Sequence, residues 1–287
     1  MKKLISLTVL VLALTTSVWA QQMIVSEPIE TQKSSQSEIT ATTPFVCGES
    51  KIADYDGNSY NTVQIGKQCW MKENLRTTHY SDGTYIEEST DLNDCRQYRF
   101  YPNLNPKFVE NFGLLYNWTA VTRDWVTANR EKLVSSTTNP SRVQGICPTG
   151  WHVPSDAEWT ELTDYLSSNS QYTCDSKSQH TSLELEQKNI AKALAAQMGW
   201  QSCENKCAIG YKMEENNASG FSALPAGVYT GFMNSDEFGK IASFWTCTQE
   251  DMSKALFRSL CFNKEYVSGK SASTNKMLGC SVRCVKD

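Results

Sequence analysis

Apolar and polar positions change period several times along the chain, and each change marks an element. The run Tyr60-Asn61-Thr62-Val63-Gln64-Ile65 is β-rich and partly alternating. Asp56-Gly57-Asn58 before it and Ile65-Gly66-Lys67-Gln68 after it carry turn residues, so Ile52 to Trp70 is predicted to form hairpins that lead Trp70, Met71 and Leu75 into an apolar interior. Asp82-Gly83 predicts another turn. Leu114, Leu115, Trp118 and Val121 recur at three- and four-residue steps, which predicts a short helix within Phe112 to Val121. The clearest helix follows Ser155, whose hydroxyl can accept from the first-turn amides while Glu158 reaches back, with Asp156 favouring the positive helix end. Its buried stripe is Trp159, Leu162 and Leu166, and Ser167-Ser168-Asn169-Ser170 stops it. A second helix is predicted over Glu186 to Met198, with Ile190, Leu194 and Met198 on one face and Gly199 ending it. Residues 127–144, 171–182 and 203–217 read as loops. Late strands are predicted at Phe244–Thr248, Leu256–Phe262 and Ser281–Val285. Two helices followed by late strands point to an α+β class rather than a doubly wound sheet.

The first twenty residues depart from this patterning. Lys2 and Lys3 precede an apolar run from Leu4 to Ala13, and Val18-Trp19-Ala20 ends on a small residue, the layout of a secretory signal. Gln21, not cysteine, follows the expected cut, which argues against a lipid anchor there. The organisation expected is a signal peptide over 1–20, a flexible Ser-, Thr- and Gln-rich leader over 21–46, and one domain over 47–287. No later segment is apolar enough to span a bilayer. The mature chain would carry 25 Lys and Arg against 31 Asp and Glu, a formal charge of −6, with no basic block. That gives no electrostatic footprint for nucleic acid or anionic lipid.

Export changes how the cysteines read. All eleven lie after the signal, and in an oxidising compartment Cys47, Cys69, Cys95, Cys147, Cys174, Cys203, Cys207, Cys247, Cys261, Cys280 and Cys284 are disulfide candidates. The odd count leaves at least one unpaired in a monomer, or one available to bridge two chains. Cys280 and Cys284 stand four apart in what reads as a strand, about 13 Å apart when extended, which is too far for one bond. They bond elsewhere or stay free. Cys203-x-x-x-Cys207 has a spacing that zinc sites tolerate, but no further His or Cys cluster stands near it. A disulfide from Cys174 to one of the pair is the more economical reading.

Other chemistry is thin. His79, His152 and His180 are the only histidines, and none sits in H-E-x-x-H; a G-x-S-x-G elbow and a phosphate-binding glycine loop are also missing. His152, between Trp151 and Val153, reads as packed and hydrogen-bonded rather than as a base. Asp54, Asp56 and Asn58 alternate as calcium ligands do, yet no glutamate closes the twelve-residue pattern, and a hairpin turn explains the same letters. No cofactor or metal is expected.

Five blocks together resemble the Fibrobacter succinogenes major paralogous domain. They are Asp54-Tyr55-Asp56-Gly57-Asn58-Ser59-Tyr60 through Cys69-Trp70-Met71-Lys72-Glu73-Asn74-Leu75; Gly113-Leu114-Leu115-Tyr116-Asn117-Trp118; Cys147-Pro148-Thr149-Gly150-Trp151-His152-Val153-Pro154 with Glu158-Trp159; Gly220-Phe221-Ser222-Ala223-Leu224-Pro225-Ala226-Gly227; and Gly279-Cys280-Ser281-Val282-Arg283-Cys284-Val285. The resemblance implies an exported or surface bacterial protein. It also implies the fold shared by C-type lectins and formylglycine-generating enzymes, with a helix pair packed on a small twisted antiparallel sheet with long loops. Cys280 stands where the family more often has an aromatic, and Cys174, Cys203 and Cys207 add to the usual pattern. Glu-Pro-Asn and Trp-Asn-Asp motifs of calcium-dependent sugar binding are absent.

The function expected is noncatalytic recognition of a surface polysaccharide or an extracellular protein, in a secreted, cell-surface or periplasmic protein. Aromatics outside the family blocks are the candidate contacts: Trp125 and Trp200, with Tyr229, Asn234 and Asp236 in a nearby loop. The alternative that the resemblance suggests is a cysteine-dependent copper oxidase. That needs two thiols close in space, and the strand before the last block offers Cys261 alone. An unpaired cysteine could also join two copies of the chain.

Overall fold

The computed structural model describes residues 44–90, 92, 96–123, 142–174, 189–231, 237–268 and 273–287, within a single unit running from Pro44 to Asp287. The expected signal peptide and most of the leader lie outside the described residues.

Turn chemistry sets the first layer. β1 (Ile52–Ala53) and β2 (Ser59–Tyr60) pair antiparallel across Asp56-Gly57, and β3 (Thr62–Ile65) and β4 (Gln68–Met71) pair across Gly66-Lys67. β5 (Glu87–Glu88), β6 (Tyr98–Phe100) and β7 (Leu115–Tyr116) form a second sheet, parallel between β5 and β6 and antiparallel between β6 and β7. β4 belongs to a four-stranded antiparallel sheet ordered β3-β4-β12-β8, where β8 is Trp151–His152 and β12 is Val285–Lys286. The late strands β9 (Ile241–Gln249), β10 (Lys254–Cys261) and β11 (Ser273–Asn275) form an antiparallel sheet of their own. The result is a mixed α and β fold of several small sheets and short helices.

Four α-helical segments occur among the described residues. α1 (Val109–Phe112) and α2 (Trp118–Thr122) replace the single helix predicted over 112–121. Gly113 takes φ +76° and ends the first, Leu115-Tyr116 pairs with β6, and the Asn117 side chain caps the second by accepting from the Ala120 amide. The apolar spacing is therefore divided between a strand, which takes Leu115, and one helix, which takes Trp118 and Val121. α3 (Asp156–Ser168) matches its prediction, with both halves of the capping box formed and Trp159, Leu162 and Leu166 buried. α4 (Ala191–Leu194) is much shorter than the helix predicted over 186–198. Ala195 turns extended, bridges Ala223, and Ala196 donates to the Ala223 carbonyl, so backbone pairing wins over helix there. Residues 186–188 lie outside the described set.

Packing explains the sequence blocks. Trp70, Trp159, Phe221 and Phe244 form a closed set of rings with neighbouring centroids 5.0–5.9 Å apart. Arg283 is fully buried against it, 4.6 Å from the Phe221 ring centre. Its guanidinium donates to Asn74 Oδ1 (2.8 Å) and to the carbonyls of Met71 (3.2 Å), Phe221 (2.5 Å) and Ser222 (2.9 Å). Three segments distant in sequence, 71–74, 221–222 and the last block, thus meet at one arginine. Arg258 does similar work for α3, bonding Asp156 Oδ1 at 2.7 Å and Thr160 Oγ1 at 2.8 Å.

Among the described residues three disulfides close the fold: Cys47–Cys69, Cys147–Cys284 and Cys174–Cys207. Cys284 bonds away from Cys280, as the spacing predicted, and Cys174 pairs with Cys207, the more economical reading of that loop. The full list of candidates needs correction, because Cys203, Cys261 and Cys280 carry free thiols. Cys247 and Cys280 are buried on pairing backbone, whereas Cys203 Sγ donates to the Phe262 carbonyl and Cys261 Sγ to Asn263 Oδ1. Cys95 lies outside the described residues.

Candidate recognition surface

The segment Thr77 to Ile86 folds back on itself around Asp82-Gly83. Tyr80 donates its amide to Thr84 and accepts one from Gly83, Ile86 donates to Thr78, and His79 bridges Tyr85. Alternation then sorts the side chains. Tyr80 and Ile86 turn inward and are buried, with Tyr80 Oη donating to the Ala120 carbonyl at 2.9 Å. His79 and Tyr85 turn outward, their ring centres 5.2 Å apart. Arg99 of β6 steadies Tyr85 by donating to its phenol oxygen at 2.9 Å.

The first hairpin supplies the third ring. Tyr55 also packs against His79, with centres 5.4 Å apart, so Tyr55, His79 and Tyr85 form a three-ring ladder of tilted and edge-on contacts. Tyr55 lies over Gly83: a Cβ there would stand 2.7 Å from the Tyr55 hydroxyl. Tyr55 and Tyr85 remain 59% and 53% exposed. Exposed aromatics that adjoin one another, rather than standing singly, are what mark an interaction site.

Hydrogen bonds fix the ladder's middle rung. Asp56 accepts from the Thr78 amide, from both Thr77 and Thr78 hydroxyls, and from His79 Nδ1 at 2.5 Å. Burial raises the Asp56 pKa, but the Thr78 amide and then His79 outweigh it and hold the carboxyl below its ordinary 3.8. Asp54 is likewise committed, accepting from the Asn58 amide and side chain and from Tyr60 Oη at 2.6 Å. The alternating Asp54, Asp56 and Asn58 serve turn and ladder, the structural reading of those letters.

Two shallow clefts flank the rings. One of about 460 Å³ is lined by Tyr85, Glu87, Arg96 and Gln97. The other, about 370 Å³, runs along Tyr55, Ser81, Thr149 and Trp151.

The residues expected to form the surface lie elsewhere. Trp200 is 5% exposed and packs with Trp159 and Leu162, so it is a core residue. Tyr229 is also 5% exposed, stacks on Phe100 at 4.2 Å and donates to the Thr90 carbonyl. Both are corrected from contact to core; their segments pair with neighbouring backbone through Gln201 and Gly279, which turns the rings inward. Trp125, Asn234 and Asp236 lie outside the described residues. The ladder went unread although its signal was present: His79 and Tyr85 are equidistant from Asp82 in a hairpin turn.

His152 is packed and hydrogen-bonded, as expected. It sits between Asp287 Oδ1 (2.8 Å to Nδ1) and Glu158 Oε1 (2.7 Å to Nε2). Burial lowers its pKa, but the two carboxylates more than offset that and raise it above the ordinary 6.5. Ser155, the nearest hydroxyl, is buried and donates to Glu158 rather than to the imidazole, so the group is not arranged as a nucleophile and base. His180 lies outside the described residues. Burial pushes the Cys247 thiol up to about 12 and the Cys280 thiol well above its ordinary range, so both stay protonated. Cys203 and Cys261 are partly exposed. Among the described residues no three His, Cys, Asp or Glu side chains converge as a metal set, and no helix is long and apolar enough to cross a membrane.

The family model described as Fibrobacter succinogenes major domain covers residues 63–286. No curated protein and no solved structure matches the chain.

Proposed function

Since the chain belongs to the Fibrobacter succinogenes major domain family, a membership that brings no reaction with it, we propose that its work is recognition. In this reading it is an exported, noncatalytic domain that binds glycan or protein at the bacterial surface. One observation carries the reading: two half-exposed tyrosines flank a histidine whose position is fixed by Asp56, and a cleft opens beside each tyrosine. Rings held by buried neighbours give up little conformational entropy on binding, which is how aromatic anchors contribute affinity.

The same reading takes the frame as one of the C-type lectin and formylglycine-generating-enzyme folds. Its support is a single long helix seated on irregular antiparallel strands with long connections. Fold alone assigns no ligand.

The test is binding of the purified protein to immobilised polysaccharides and to surface proteins of the producing cell, followed by interferometry. Tyr55→Ala and Tyr85→Ala are expected to weaken saturable binding without lowering the melting temperature by more than a few degrees. Binding equally strong in both variants would remove the ladder from the proposal, and no binding by the parent protein would remove the function.

A further inference from the structure

We propose that the ladder's ligand is an uncharged polysaccharide chain laid across the Tyr55–His79–Tyr85 row, with sugar hydroxyls read in the cleft of Tyr85, Glu87, Arg96 and Gln97. This rests on the recognition reading above and narrows it to one ligand class.

Shape is the first reason. The rings succeed one another at 5.4 and 5.2 Å with their planes inclined by 43° and 61°, Arg99 lies over Tyr85, and a cleft opens beside each tyrosine. A site this extended and shallow suits a polymer segment rather than a small molecule enclosed on most sides. The C–H faces of sugar rings are apolar and complement exposed aromatic faces.

Charge is the second. Each guanidinium at the row already faces a carboxylate: Arg123 on Asp82 at 2.5 Å, Arg99 on Glu88 at 3.5 Å and Arg96 on Glu87 at 3.6 Å. Asp56 engages His79, and Asp54 adds a further negative charge beside Tyr55. No cation is in surplus among these groups, so a uronate or sulfate chain would meet repulsion without a counter-charge. Glu87, Arg96 and Gln97 instead offer planar donors and acceptors side by side, the arrangement that bonds neighbouring hydroxyls.

Polarity of the rim is the third. Protein interfaces concentrate energy in an apolar, desolvated centre. Around Tyr85 the exposed side chains are otherwise polar, with Asp82, Thr84, Glu87 and Glu88 standing in solvent. A hydroxyl-rich chain keeps such groups hydrogen-bonded; an apolar protein face would strip them of water.

The experiment is affinity electrophoresis of the full domain in gels containing hydroxyethylcellulose, xylan, mannan, polygalacturonate or dextran sulfate, with calcium chelated throughout. Retardation by at least one of the three uncharged polymers is expected, with the apparent Kd rising about tenfold in Tyr55→Ala and Tyr85→Ala. Tyr85→Phe, which keeps the ring, should retain most of the binding. Retardation by polygalacturonate or dextran sulfate alone, or loss of a protein partner in the ladder variants, would overturn the ligand class while leaving recognition standing. Retardation by an uncharged polymer that the ladder variants do not reduce would overturn the site itself. No retardation by any uncharged polymer would also overturn the proposal.

Discussion

Two residues show how much of this molecule is settled by charges taken out of water. Arg283 has no carboxylate bonded to it, and burial pulls its pKa down to about 9, so it remains protonated at neutral pH. Its cost is met by three carbonyls and Asn74, groups that would otherwise be buried without donors. Replacing it with methionine keeps the apolar stem but leaves those acceptors unsatisfied, an expected loss of about 3–5 kcal/mol, measurable by urea unfolding. His152 gives a pH signature. Its pKa is raised in the fold, so the stability it adds is complete below 6.5 and lost as pH rises through the higher folded value. Glu158 is lowered despite burial, mainly by His152 and then the Ser155 amide, so its share is lost as pH falls through a value under 4.5. The melting-temperature gap between the parent and His152→Gln should therefore be widest between pH 4.5 and 6.5 and narrow on either side. A gap independent of pH would show that the imidazole acts through packing alone.

At the scale of elements, the hairpin of residues 77–86 is what turns sequence into surface, and Gly83 is its hinge point. It sits at φ +84°, and a Cβ would strike Tyr55. Gly83→Ala should cost about 1–2 kcal/mol from the left-handed backbone and also lift Tyr55 off the turn. Lower melting temperature and weaker ligand binding are expected together, unlike Tyr55→Ala, where binding falls alone. Calorimetry and binding on the same two variants separate these outcomes. The hairpin turns and α3 were legible because each is decided locally, by Asp82-Gly83 or by a Ser155–Glu158 capping box followed by an apolar stripe. α4 and β7 were not, because Ala195 and Leu115 are claimed by backbone partners far away in sequence, Ala223 and Phe100. The same limit hid the recognition row. Its hairpin can be read from one segment, but the approach of Tyr55 to His79 depends on a carboxylate twenty-three residues upstream, Asp56. Tryptophans drew attention as large apolar rings, and for that reason the fold buried Trp200.

For the whole molecule, covalent closure and thiol accessibility belong to one prediction. Cys147–Cys284 joins residues 137 apart and fixes the last strand beside β4 and β8, where Arg283 also acts. On a chain-entropy account a loop of that size restricts the unfolded state by about 5 kcal/mol, more than the shorter Cys47–Cys69 and Cys174–Cys207 closures. Disulfides therefore protect the region where the sequence blocks converge. The thiols divide by environment: Cys203 and Cys261 are partly exposed, while Cys247 and Cys280 are buried and held protonated. Brief alkylation of the folded protein at pH 8, read by peptide mass mapping, should label Cys203 and Cys261. Cys247 and Cys280 should label only after unfolding in denaturant without reductant, and the six bonded cysteines only after reduction. Labelling of Cys247 at the rate of Cys203 would mean that the sheet opens where the core is drawn closed. Substituting Cys147 and Cys284 together by alanine should bring Cys280 into reach of the reagent at lower denaturant, because the strand that shields it loses its fastening, while the ladder, anchored through Tyr80 and Ile86, should keep its ligand until that unfolding begins.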